Sequence, residues 1–286
     1  MGTSARLLSQ AQALAALTAR LRLDELGENG DPAVRERLDR VVDSLAVREH
    51  VEGVEPGERA IVVAFARSYL RQAIELVDDP VRAGSWTSDD PVLLQAQGSA
   101  SAAVARLIAG AGLTSEGARI LDVGTGVAGL AIAFCTTFQG STVVGLDPWE
   151  PALALARENV AAAGLEARVT LLPTPVEEFE DPDGFDLVWL PSFFIPEAAL
   201  DAALARIHAL LRPRGAVVVG LSYGAGEPSL EAAVDDLFTV RSGGSVLTAG
   251  AALERLRRAG FADPRQVDRT WDAPLALVVA GRDRAA

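Results

Sequence analysis

The stretch that decides the fold is Ile120-Leu121-Asp122-Val123-Gly124-Thr125-Gly126-Val127-Ala128-Gly129. A short apolar run leads into a glycine-rich turn, and a helical pattern starts beyond it. Glycines let the backbone turn tightly and let a ligand come close, because no Cβ stands in the way. The start of the following helix offers unpaired N–H groups to whatever lies above the turn. The spacing alone is weak evidence of ligand identity, since several nucleotide-binding families share it.

Asp122 narrows the choice. It stands two positions before the first glycine, at the end of a strand that is otherwise apolar. A pyrophosphate would be repelled by a carboxylate there, whereas a ligand with an ammonium and a sulfonium would be favoured. S-adenosylmethionine carries both and has no phosphate. The plain alternative is that Asp122 only ties the loop by accepting backbone N–H bonds. A second acid, Asp147, follows the next apolar run in Gly145-Leu146-Asp147-Pro148-Trp149. Its distance from the glycine loop suits a carboxylate that accepts both hydroxyls of a ribose, or else a helix cap. Trp149 has the shape to lie along an adenine face, or simply to pack.

Outward from this core, apolar runs at 119–123, 142–146, 169–172, 186–190 and 216–221 alternate with helical patterns at 151–163 and 197–211. Alternation at this spacing predicts a parallel sheet covered by helices on both faces. A helix at 251–259 then gives way to strand-like runs at 266–271 and 275–280. The gap between them is too short for a helical crossover, so they should pair antiparallel. Before about residue 95 the pattern is helical throughout, with Leu7, Leu14, Leu17 and Leu21 and then Val34, Leu38, Val41 and Leu45 at helix spacing. The expected organisation is a helical segment, 1–95, serving as lid or dimerisation element, and a cofactor domain, 96–286.

Composition sets limits. The 286 residues carry a formal charge of −13, contain no Lys, and are 49% apolar. So acidic a surface disfavours a general nucleic-acid binder. One cysteine, Cys135, and two histidines, His50 and His208, suggest neither a disulfide framework nor a metal site. No apolar run reaches the ~18 residues of a membrane span, and no signal block stands at the N-terminus, so the chain reads as cytoplasmic.

On the Asp122–Gly129 loop, Asp147, the late strand pair and the turn Arg212-Pro213-Arg214-Gly215, the chain from about residue 98 resembles the class I S-adenosylmethionine-dependent methyltransferases. The resemblance implies a Rossmann-like, seven-stranded, mostly parallel sheet with an antiparallel last strand, preceded by an α-helical segment. It implies a cofactor site at Asp122, Gly124, Thr125, Gly126, Asp147, Pro148, Trp149 and Leu190. The family's usual acid after the third strand is replaced by Thr174-Pro175-Val176-Glu177, leaving a hydroxyl, a backbone N–H or Glu177 for the adenine. The fourth strand runs into Pro191-Ser192-Phe193-Phe194 rather than the polar motif of nucleic-acid and protein-amide methylating relatives. With Trp86 and Tyr223, the residues Pro191, Phe193 and Phe194 are expected to form an apolar wall for a small organic acceptor.

The expected reaction is methyl transfer to a hydroxyl of a secondary metabolite, with no metal. The general base is unassigned, the candidates being His50, His208, Tyr69, Tyr223, Asp89 and Asp90. A non-catalytic S-adenosylmethionine-binding protein, a dinucleotide-dependent oxidoreductase and a macromolecule methylase are the alternatives. The Leu7, Leu14 and Leu21 stripe suggests a homodimer, or cover for the chain's own core.

Overall fold

The computed structural model describes residues 2–27, 30–45, 56–271 and 273–283. His50 and the side chain of Leu7 lie outside the described residues. The chain divides into two compact units, Met1–Val81 and Arg82–Ala286.

The first unit contains α1 (Gly2–Leu26), α2 (Pro32–Ser44) and α3 (Pro56–Asp78). The break before α2 has a local cause. Asp31 caps the helix by accepting N–H bonds from Ala33 and Val34, and Pro32 suits the first helical position. Leu21, Val42 and Val63 close a small core on which Leu17 packs. Leu14 is 40% exposed, so the leucine stripe turns only part of its length inward.

The second unit starts earlier than residue 95 because α4 (Pro91–Gly110) is one unbroken helix capped by Asp90. Its length and apolar composition would let it span a membrane, although polar residues interrupt its apolar runs. Its Val104, Ala105 and Ile108 are buried in the core beside the sheet. After it come β1 (Arg119–Val123), α5 (Gly129–Thr137), β2 (Thr142–Leu146), α6 (Glu150–Ala162), β3 (Val169–Leu172) and β4 (Phe185–Pro191). The unit ends with α7 (Glu197–Leu210), β5 (Leu211–Ser222), α8 (Leu230–Arg241), α9 (Ala249–Arg258), β6 (Ala262–Gln266) and β7 (Leu275–Gly281).

The seven strands form one sheet in the order β3-β2-β1-β4-β5-β7-β6. Neighbours from β3 to β5 are parallel; β7 runs antiparallel to both β5 and β6. The central strands are near-continuously apolar because helices cover both faces. Leu121, Val188 and Val219 enter one core, and Ile120, Leu187 and Val218 the other.

The sixth strand departs from expectation. It spans Ala262–Gln266 rather than 266–271, although Val267 still donates to the carbonyl of Leu277 at 2.8 Å. This strand is the sheet edge, with a register shift between Ala262 and Arg265 and a left-handed Asp263. Its residues are polar and half-wet, so they carry no apolar alternation to read.

Helix α4 crosses α5 at glycines. A Cβ on Gly129 would stand 2.1 Å from the carbonyl oxygen of Gly98, and one on Gly98 would stand 2.3 Å from Cγ2 of Val127. Gly129→Ala is therefore expected to force the helices apart and to cost about 1–3 kcal/mol. Urea unfolding checks this; an unchanged midpoint would mean that the crossing is not tight.

Candidate functional site

The strand order reverses direction between β1 and β4, and in open α/β sheets ligands bind beyond the carboxyl ends of strands at such a point. A cavity of about 310 Å³ lies there. Its floor is Val123 and the loop Gly124-Thr125-Gly126-Val127. Leu146, Asp147, Pro148 and Trp149 form one wall, and Thr174, Pro175, Val176 and Glu177 another.

The loop is shaped by three left-handed residues, Gly124, Gly126 and Ala128, with φ of 67°, 56° and 63°. Thr125 turns back instead of up. Its hydroxyl donates to Oδ2 of Asp122 at 2.7 Å, and its backbone N–H donates to the carbonyl of Leu146 at 3.0 Å. Gly145 makes this fit possible. The β1–β2 register sets it beside Asp122, and a Cβ there would meet Thr125 Oγ1 at 2.7 Å. Asp122 is 1% exposed, so it supports the loop from behind and does not line the cavity. Burial is the main force on its carboxyl, raising the pKa from 3.8 to about 7; the Thr125 hydrogen bond opposes the rise and Asp147 adds to it.

Asp147 does face the cavity. Its Oδ2 accepts from the N–H of Gly126 at 2.9 Å and its Oδ1 from the N–H of Trp149 at 2.8 Å. Each carboxylate oxygen keeps a lone-pair direction for a further donor. Burial pushes its pKa up, and the two backbone hydrogen bonds pull it down. The helix-cap alternative is only half met: Asp147 ties the turn into α6, but Trp149 occupies the N-cap position.

Behind this wall, Gln95 and Asn159 exchange paired amide hydrogen bonds of 3.0 and 3.1 Å, and Asn159 also donates to the carbonyl of Val127 at 2.9 Å. Two helices and the glycine loop are thereby fixed to each other. Helix α4 itself contributes Leu94, Gln97, Gly98 and Ser101 to the cavity. Of these only Leu94 falls before the boundary expected at residue 95; none of the four was expected in the site, although Gly98 is a readable sign of close packing.

The other end is apolar. Trp86, Phe194, Ile195 and Pro196 line it, together with Ser242. A short 3₁₀ turn, Ser192–Phe194, directs Phe194 inward. Ser192 fixes that turn by donating its hydroxyl to the carbonyl of Gly220 at 2.9 Å.

Several expected site residues lie elsewhere. Leu190 is fully buried within the sheet core and is not among the lining residues. Pro191 is buried beneath the loop, with Cγ 3.6 Å from a Cβ built on Gly124. Phe193 packs edge-on against Phe194 at 4.8 Å and is not among the lining residues. Tyr223 is 52% exposed, its ring lies under the guanidinium of Arg269, and it is not among the lining residues.

None of the described candidate bases is among the lining residues. His208 stacks on Phe261 at 4.9 Å, Asp90 caps α4, and Tyr69 belongs to the first unit. Asp89 is not a lining residue either. Among the described lining residues, Asp147 and Glu177 are the only ionisable side chains.

Comparison with known proteins gives this arrangement a class. Residues 120–215 match the family model of a methyltransferase domain. Over 102 residues the chain is 38% identical to demethylmenaquinone methyltransferase of Thermus thermophilus, a match that takes in 35% of this chain and 46% of that one. Across the first curated relatives the match spans 32% to 46% of their own length. Among solved structures, an O-methyltransferase family protein of Burkholderia thailandensis shares the fold with a TM-score of 0.74 at 15% identity, covering 99% of this chain and 98% of that one. Mitomycin 7-O-methyltransferase does so with a TM-score of 0.72 at 21% identity, covering 98% and 97%. Residues 120–215 thus match a methyltransferase domain, and nearly the whole chain shares the fold of solved O-methyltransferases.

Proposed function

We propose that this protein transfers a methyl group from S-adenosylmethionine to a hydroxyl of a small organic acceptor, of the kind made in secondary metabolism. The observation that carries the reading is the two-ended cavity. One end has a glycine floor and a carboxylate, Asp147, with lone pairs to spare; the other is walled by Trp86, Phe194, Ile195 and Pro196. The residues fit the cofactor. Gly126 leaves room above the loop, since no heavy atom lies within 4 Å of a Cβ built on it. Asp147 would take the ribose hydroxyls, and Thr174 and Glu177 stand where the adenine edge would need acceptors. The solved relative that methylates mitomycin lends support for a small acceptor.

Bound S-adenosylmethionine supplies a methyl already activated on sulfur. The chain then has to bind, align the acceptor in line and keep water out. The apolar end serves alignment and exclusion. A sheet with an antiparallel β7 inserted between β5 and β6 also separates this chain from the dinucleotide-binding fold, whose order is 3-2-1-4-5-6.

A second reading, cofactor binding without catalysis, draws support from the lining residues, where Glu177 and Asp147 are the only groups able to take a proton among those described. An assay with radiolabelled S-adenosylmethionine against a metabolite extract separates the two. Label in a small, extractable product is the expected result; binding without any transfer favours the second reading.

We further propose that the protein acts in the cytoplasm, away from nucleic acid and membrane. The helices of the first unit would pair two copies. Light scattering on a chain lacking residues 1–30 is expected to give half the mass of the full-length protein. Equal oligomeric states would remove the idea.

A further inference from the structure

The segment 82–90 between the two units' helices has no regular structure of its own, yet it is tied at both ends to opposite walls of the cavity. Near its start, the N–H of Ser85 donates to the carbonyl of Arg241 at 3.1 Å, and the Arg241 guanidinium donates to the carbonyl of Arg82 at 3.1 Å. The approach is close enough that a Cβ on Gly84 would stand 2.0 Å from the carbonyl oxygen of Val240. Near its end, the carbonyl of Ser88 accepts the indole N–H of Trp149 at 2.8 Å. Between these ties Trp86 reaches the cavity, with its ring 5.7 Å from Phe194 and edge-on to it. Trp86 and Trp149 both pack on the small cluster of Leu94, Val127 and Ala152.

A continuous line of contacts therefore runs from one end of the cavity to the other. Asp147 accepts the backbone N–H of Trp149, the Trp149 indole holds Ser88, Ser88 is two residues from Trp86, and Trp86 meets Phe194. We infer that Trp149 is a positioning residue for the acceptor end. Its indole N–H holds Trp86 in place, so a ligand on Asp147 is felt at Trp86. This rests on the cofactor reading of the same cavity. A ring that merely filled space would not need its N–H, whereas the hydrogen bond to Ser88 does.

The four tryptophans, Trp86, Trp149, Trp189 and Trp271, make fluorine NMR a direct test. Protein labelled with 5-fluorotryptophan gives one resonance per site, assigned from single Trp→Phe variants. S-adenosylhomocysteine is the probe, and its binding is measured separately by calorimetry. In the unaltered protein, saturation with the probe is expected to shift the Trp86 resonance. Trp149→Phe keeps an aromatic ring and loses the N–H, so at probe concentrations that calorimetry shows to be saturating for the variant the Trp86 shift should be lost. Gly84→Ala releases the other tie and should displace the Trp86 resonance even without the probe. An equal Trp86 shift in the unaltered protein and in Trp149→Phe would overturn the inference. So would a Trp86 resonance that stays put while calorimetry reports binding. An absence of heat from the probe would instead overturn the cofactor reading, and the inference with it.

Discussion

Asp147→Ala is expected to weaken S-adenosylhomocysteine binding by about 100-fold or more, the largest single loss in the site. Hydrogen bonds to a charged acceptor contribute roughly 1.5–3 kcal/mol each, and a ribose would present two hydroxyls to this carboxylate. The truncation also frees the N–H groups of Gly126 and Trp149, which now donate to Asp147. Part of the loss would then come from a slackened loop. Asp147→Asn separates the contributions, since the amide keeps one acceptor oxygen and loses the charge. It should fall between the unaltered protein and Asp147→Ala. Calorimetry measures both, and equal affinities in all three proteins would show that the ligand does not use this acid.

Asp122→Asn is expected to act in opposite directions on stability and on binding. In the native state the carboxyl titrates at about 7 against 3.8 in the free group. Between those values the folded protein holds a proton that the unfolded chain has shed. Stability from this group therefore falls as pH rises from about 4 to about 7, and it is level above that window. Asparagine is neutral throughout and still accepts the Thr125 hydroxyl. The variant should match the unaltered protein near pH 4 and exceed it at pH 8, by at most ~4 kcal/mol. Urea unfolding at several pH values checks the sign.

Binding should move the other way. A ligand bearing an ammonium favours the ionised carboxyl. The affinity of the unaltered protein for S-adenosylhomocysteine should therefore rise with pH up to about 7, while that of Asp122→Asn stays flat and roughly tenfold or more weaker at pH 8. A variant that is less stable at pH 8 would mean that burial does not raise the pKa of the native carboxyl.

The parts of this molecule that were legible in sequence share one physical property. Strands 119–123, 142–146 and 169–172 were read to the residue because helices cover both faces, which forces continuous apolar runs. The glycine loop was legible because its left-handed backbone at Gly124 and Gly126 restricts the residue types allowed there. Edge strand β6 was placed too late, since a half-solvated strand needs no such run. Phe193 and Phe194 are neighbours of the same type, and only the 3₁₀ turn held by Ser192 and Gly220 decides which one faces the cavity.

Asp122 shows the limit most clearly. Its charge at a buried strand end was readable, but its place behind the cavity lining was not. That placement depends on Thr125 folding back over Gly145, a contact between residues twenty positions apart. The strap at 82–90 was equally opaque, because its ties run to Trp149 and Arg241, far along the chain.

The central claim is that one ligand lies between the glycine loop and Asp147, and a crystal structure with S-adenosylhomocysteine tests it most directly. The account predicts the ribose hydroxyls on the two carboxylate oxygens of Asp147, at about 2.5–3.0 Å, with the sulfur pointing toward Phe194. A ligand found outside this cavity, or inside it with its sugar turned away from Asp147, would contradict it.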